Sequence, residues 1–237
     1  MEIHFQSLYT LPSDCQPNHI PQGPATKNSF TAFRPVSVQE VKQLLSRLPT
    51  CKAPGPDGLC PTELKIAADF IAPSLAVLFN ESLVSGDLPA GFKEGNISPI
   101  FKTGKTDPSV PENYRGITLT PILSKLLERV VHTQVSEFLR SRSALSDFQY
   151  GFRKGYSCSD LLLTVMDDWL LARDKSQCTA VVFLDLSKAF DKVLHDRLLL
   201  TLQQIGISRT ALRWFYNFLD ARKQRVIVNS KKSSFFT

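Results

Sequence analysis

The 237-residue chain lacks a C-x-x-C pair, an apolar run of bilayer length, and a basic start followed by an apolar segment. Its five cysteines (Cys15, Cys51, Cys60, Cys158 and Cys178) are odd in number and scattered, as are His4, His19, His132 and His195. That spacing argues against both a secreted disulfide framework and a structural zinc site. No segment reaches the roughly 20 apolar residues needed to cross a bilayer, and the start MEIHFQSLYTLPSD does not read as a leader. The chain is therefore expected to be soluble and intracellular, with no membrane partner. Internal repeats are absent, and so is the G-x-x-x-x-G-K-S/T spacing of a P-loop.

What is present is an ordinary globular composition, 43% apolar, with a net charge of +6 and a pI near 9.1. The excess is uneven, since residues 209–237 carry seven Lys/Arg against the single acid Asp220. Such a balance fits an anionic partner, and equally a solvated basic surface. Residues 1–35 are rich in Pro, Asn, Gln and Ser without periodicity and read as an extended lead-in or linker. Ser37 and Glu40 then have capping-box spacing ahead of an apolar stripe, Val38, Val41, Leu44, Leu45 and Leu48. The Pro/Gly loop KAPGPDG at 52–58 precedes a helix from about Pro61 and a second over about 73–85, with Gly86 as its C-cap.

NISPIF at 96–101 predicts a short strand ending at Lys102, and the polar run 103–115 a hairpin loop. Thr120 and Pro121 open a long amphipathic helix to about Arg140. After the turn-rich QYGFRKGYS at 149–157, a helix over Ser159–Arg173 would turn Leu162, Val165, Met166 and Trp169 to one side. TAVVFLDL at 179–186 has the length and apolarity of a buried central strand. Helices at about 196–204 and 208–221 and a strand over RVIVNS follow. The irregular alternation indicates an α+β fold.

Asp185 interrupts that apolar strand, where an ionised carboxylate needs a partner or a metal; capping the next turn is the plainer alternative. Asp185, Ser187, Lys188 and Asp191 cluster in sequence at the strand's end, with Phe190 among them. Lys102 and Arg115 flank the hairpin loop, where Arg can offer phosphate a bidentate fork and Lys a point charge; solvated loop charges would look the same. KAPGPDG can bring backbone N–H groups close to a phosphate, and it is equally compatible with a plain turn.

Taken in chain order, KAPGPDG, ISPIFKTGK with NYRGITL, QYGFRKGYS, and FLDLSKAFD resemble the motif series of non-LTR (LINE-type) retrotransposon reverse transcriptases, over about residues 33–230. Group II intron reverse transcriptases share the GFR-type turn, while KAFD and NYRGITL are closer to the LINE type. The resemblance implies the fingers and partial palm of a right-hand polymerase, incomplete here: fingers over 36–178 and the start of the palm over 179–237. It implies RNA-directed DNA synthesis on an RNA template and DNA primer from deoxynucleoside triphosphates, by in-line attack of the primer 3′-OH with two Mg²⁺ ions.

By position, Asp185 would bind catalytic Mg²⁺, with the Leu186 carbonyl a further ligand near the nucleotide. Phe190 would be the steric gate against a 2′-OH. Lys102 and Arg115 would hold the triphosphate, and Arg153 and Lys154 would lie near template or primer backbone. Gly116 stands where many relatives have proline. The sequence contains no Y/F-A-D-D hairpin, no PQGS-like segment, no thumb and no endonuclease. Asp191 lies past the strand end, and Asp167 and Asp168 are adjacent on a predicted helix, so neither supplies an obvious second carboxylate. The chain is thus expected to be a truncated polymerase, inactive alone, whose full-length relatives carry the remainder and act in nucleus and cytoplasm as a ribonucleoprotein. The alternatives are a non-catalytic nucleic-acid-binding fragment or a relic open reading frame.

Overall fold

The computed structural model describes residues 29–186 and 188–237. Most of the lead-in, and Ser187 of the cluster around Asp185, lie outside them. The chain divides into two compact units, residues 1–135 with 190–237, and residues 136–189.

In the first unit, residues 29–36 lie outside helix and strand but are tied down: Phe30 bridges Ile207, and Val36 N–H donates to Asn80 Oδ1 at 2.8 Å. Helix α1 (Val38–Ser46) opens on the capping box its spacing predicts. Ser37 Oγ accepts from Glu40 N–H, and Glu40 Oε2 accepts from Ser37 N–H at 2.8 Å, so two orphan donors of the first turn are satisfied reciprocally. The Arg34 guanidinium, 2.8 Å from Glu40, is the main reason its carboxyl is held down to about 2. Of the predicted stripe, Val41, Leu45 and Leu48 are buried, whereas Val38 is exposed.

After α2 (Pro61–Ile66), helix α3 (Ala68–Ser85) begins a turn and a half before the sequence suggests and carries Pro73 inside it. A proline reads as a helix start because its missing N–H costs nothing there. Here the buried Ala68, Ala72, Leu75 and Ala76 reward the extra residues and offset the lost hydrogen bond. Gly86 ends the helix with φ +77°, and a Cβ there would lie 3.1 Å from both Arg213 Cγ and the Thr210 carbonyl oxygen. Glycine is therefore required twice, by conformation and by contact.

Strands β1 (Glu94–Phe101) and β2 (Tyr114–Leu119) form an antiparallel hairpin. Helix α4 (Ile122–Ser141) follows, with Ser124 donating to the Phe92 carbonyl. Past α5 (Cys158–Asp174) of the second unit come α6 (His195–Gln204), α7 (Arg209–Leu219), β3 (Lys223–Val228) and the short β4 (Lys231–Lys232). β3 joins β1 in parallel, giving a four-stranded mixed sheet in the order β2-β1-β3-β4.

Helices α1 and α7 pack on α3. Trp214 of α7 donates from Nε1 to Ser82 Oγ, and Ser82 donates on to the Asp87 carbonyl. Arg213 Nη2 reaches both carboxylate oxygens of Asp87 at 2.9 and 3.0 Å. The core they enclose includes Leu45, Phe79, Leu83, Leu127, Leu212 and Trp214. No helix among the described residues is long and apolar enough to cross a membrane.

The second unit is different. Its helix α5 (Cys158–Asp174) is well capped, with Ser157 and Asp160 forming a capping box, yet none of its residues is buried. Leu162, Met166 and Trp169, expected on one side of the helix, are exposed. TAVVFLDL at 179–186 is not a buried strand: it has no strand geometry, and Phe183 and Leu184 are 89% and 91% exposed. An apolar run becomes a central strand only when neighbours complete its ladder on both sides. Among the described residues, none pairs with it.

Candidate functional site

The β1–β2 hairpin positions two of the expected site residues. Its register sets Phe101 opposite Tyr114 and Ile100 opposite Arg115, and Lys102 N–H continues the ladder by donating to the Asn113 carbonyl at 2.8 Å. Directly opposed residues share a face and successive residues alternate. Arg115 and Lys102 therefore fall on one face at the tip, while Phe101 and Tyr114 meet edge-on across the other, ring centroids 5.2 Å apart.

The connecting loop is held by its own polar groups. Tyr114 Oη donates to the Pro108 carbonyl, Asn113 to the Asp107 carbonyl, and Asp107 Oδ1 accepts from Ser109 N–H and Oγ–H. These Ser109 hydrogen bonds lower the Asp107 pKa. Lys102 Nζ donates to the Glu112 carbonyl at 2.6 Å, leaving two of its three protons free, and no bond from the exposed Arg115 guanidinium is described. The tip thus offers a fork and a point charge toward an anion, on a backbone the loop keeps in place.

KAPGPDG contains a turn. Gly58 N–H closes a turn onto the Gly55 carbonyl. A Cβ on Gly55 would stand 2.7 Å from the Thr120 carbonyl oxygen and 2.8 Å from Pro121 Cα. That glycine lets the loop lie directly on the segment leading into α4.

In the second unit, the QYGFRKGYS turn uses Arg153 internally. Its Nη1 donates to the Ser146 carbonyl at 2.9 Å, Nη2 lies 3.5 Å from Asp147, and the guanidinium covers the Tyr156 ring at 4.1 Å. Tyr150 packs edge-on against Tyr156. Lys154 beside it is exposed. Asp185 and Leu186 are exposed in the irregular segment after α5, and Asp185 Oδ1 accepts from Leu186 N–H at 2.9 Å. Phe190, 76% exposed, begins the returning stretch of the first unit and sits in a turn. So Lys102 and Arg115 are brought together, Arg153 and Lys154 share one turn, and Asp185 stands as a single carboxylate. Among the described residues no three His, Cys, Asp or Glu side chains form a metal-holding group, so Asp185 does not fit a catalytic metal pair by itself.

Sequence reading also passed over a cavity of about 300 Å³ in the first unit, lined by Lys93, Gly95, Thr118, Glu128, Arg222 and Gln224 among others. Those residues come from four separate stretches of chain, and no local pattern marks them.

Comparison with known proteins supplies what geometry cannot. Residues 100–237 match the family described as reverse transcriptase (RNA-dependent DNA polymerase). The chain is 34% identical, over 84% of its length, to the RNA-directed DNA polymerase from mobile element jockey of Drosophila melanogaster, covering 22% of that protein. It is 35% identical over 70% of its length to the probable RNA-directed DNA polymerase from transposon BS of the same species, covering 18% of it. A Pol polyprotein from a type-1 R2 element of Popillia japonica is 28% identical over 74% of the chain. The chain thus spans about a fifth of the length of the curated relatives it matches.

Proposed function

Because the chain belongs to the reverse transcriptases of non-LTR retrotransposons, we propose that it forms the nucleotide-receiving part of an RNA-directed DNA polymerase, adding deoxynucleotides to a primer 3′-OH on an RNA template. Members of this family act on nucleic-acid templates and deoxynucleoside triphosphates and generally use divalent metal ions; the family's polymerase fold suits the mixed helix and sheet described above. Within it, residues 36–178 make the fingers and 179–237 begin the palm, after a lead-in over 1–35. Lys102 and Arg115 receive the triphosphate, Phe190 screens the sugar, and Lys154 meets template or primer backbone beside Arg153. The observation that carries this reading is the hairpin tip, where ladder alternation gathers two cations on one face and leaves the Arg115 fork free.

Asp185 and the Leu186 carbonyl are the residues here that would hold Mg²⁺, in a site whose further carboxylates must come from elsewhere. The 237-residue chain therefore binds deoxynucleoside triphosphate without extending a primer. Filter binding with a labelled deoxynucleoside triphosphate should show at least a tenfold loss in the Lys102→Ala, Arg115→Ala double variant; equal binding would overturn the assignment of the tip. A primer-extension assay with Mg²⁺ should give no product, and template-dependent extension abolished by Asp185→Ala would show the chain active on its own.

A further inference from the structure

The segment ahead of α1 is held chiefly through its main chain. In the turn between α6 and α7, the Gly206 carbonyl accepts from Phe30 N–H at 2.8 Å, and Ser208 N–H donates to the Phe30 carbonyl at 3.0 Å. Ala211 N–H donates to the Thr31 carbonyl at 3.2 Å. Two side-chain amides repeat the pattern further along. Gln134 of α4 accepts from Arg34 N–H through Oε1 at 2.8 Å and donates from Nε2 to the Arg34 carbonyl at 3.1 Å. Asn80 of α3 does the same for Val36, accepting through Oδ1 at 2.8 Å and donating from Nδ2 at 3.0 Å.

A carboxamide presents an acceptor and a donor side by side, so each amide stands in for the backbone of a paired strand. Side chains enter at two places, because Phe33 and Val36 are the buried residues of this segment. The Phe33 ring lies edge-on to Trp214, centroids 5.9 Å apart, and is tilted against Phe215 at 6.5 Å. Ala32, Arg34 and Pro35 are exposed, and the Arg34 guanidinium pairs with Glu40 of α1. Main-chain bonds that hold a segment, with spaced pockets that select its side chains, are the means by which folded domains bind short peptides. The walls are also joined to one another without the segment: Trp214 of α7 donates to Ser82 of α3, and Arg213 holds Asp87 just past the end of α3.

We propose that this groove is a peptide-binding site and that residues 29–36 are its tethered, detachable ligand, which the same sequence on a separate molecule can replace. The ligand class is a short peptide with an aromatic residue three positions before a β-branched one, read between them through its backbone. The site uses none of the residues assigned to nucleotide, metal or template, and so goes beyond the polymerase reading. A tethered ligand competes at an effective concentration on the order of millimolar. An outside peptide therefore gains entry when the resident segment is loosened.

Fluorescence anisotropy of a labelled Ser29–Ser37 peptide, titrated with the full chain, tests this. The Phe33→Asp chain should bind the peptide at least about tenfold more tightly than the wild-type chain, because its own segment no longer competes for the pocket. A peptide carrying Phe33→Asp should not bind. Methylating the Arg34 nitrogen of the peptide should weaken it about tenfold, since Gln134 loses its donor. A peptide with Ala32→Lys, altered at an exposed position, should bind within about twofold of the original. Equal binding by the wild-type and Phe33→Asp chains, no saturable binding by either, or no loss on methylation would overturn the proposal. Hydrogen exchange on the wild-type chain needs no substitution. Amides of residues 29–36 should be at least about tenfold less protected than those of α3 and α7. Equal protection would mean that the segment leaves only when the whole unit unfolds, and would overturn the proposal as well.

Discussion

The two units of this chain were built from similar material and came out differently. Residues 136–189 contain seven basic and seven acidic side chains, so the entire +6 excess belongs to the other unit. That other unit also holds every buried hydrophobic side chain described, while α5 has helix caps and apolar residues at helical spacing, none of them buried among the described residues. Local signals were satisfied in both. Only one obtained partners. Secondary structure is thus set within a few residues, whereas burial is set by what lies alongside.

The contrast can be broken at several points. The largest expected effect is on association. The exposed Phe183 and Leu184 should drive the chain to sediment above its 26.5 kDa monomer mass, and Phe183→Asp with Leu184→Asp should bring it back. A wild-type chain that sediments as a monomer would refute this.

Next comes truncation. Trp214→Ala in the first core should cost about 3–5 kcal/mol in urea denaturation, whereas Leu163→Ala on α5 should cost less than about 0.5 kcal/mol. Comparable losses would mean that the second unit has a core after all. A smaller effect separates two glycines of positive φ. Gly86→Ala meets Arg213 and Thr210, while Gly155→Ala meets nothing within 4 Å. Both should lose about 1 kcal/mol to backbone strain, with a further loss only at Gly86.

The smallest effect is a pH dependence confined to the first unit. Burial lowers the His195 pKa below 6.5, against the opposing charges of Asp196 and Asp220, and its Nδ1 has no described partner. A histidine whose folded-state pKa is depressed takes up a proton more readily when unfolded, so its contribution is intact above pH 6.5 and declines as pH falls below it. The urea midpoint should drop between pH 7.5 and 5.5, and the drop should shrink in His195→Gln.

Much of the first unit was legible in advance because its signals are local. Ser37 and Glu40 sit three residues apart and cap α1; Gly86 stops α3; NISPIF became most of β1; and Ser208 precedes α7. The hairpin strands also carried Lys102 and Arg115 to one tip, which a strand-loop-strand pattern can anticipate. Three features were not legible. The run at 179–186 has strand composition, but composition does not say whether a ladder partner is present. Arg153 is expected beside template or primer backbone, and the sequence alone does not show that Ser146, Asp147 and Tyr156, all within seven residues, also engage its guanidinium. The cavity depends on Lys93, Glu128 and Arg222 converging from distant parts of the chain, and no spacing rule reaches that far.

The parallel pairing of β1 with β3 has a consequence for the order of events during synthesis. Arg225 of β3 bonds Asn96 of β1 across 129 positions, and loop closure over such a distance is entropically expensive before any contact rewards it. On the ribosome, β1 and β2 can pair as soon as the hairpin emerges. The other edge of β1 must wait, open to any passing strand, until residues 223–226 leave the exit tunnel. Nascent chains halted before Lys223 should therefore engage holdase chaperones, and those extended past Val228 should release them.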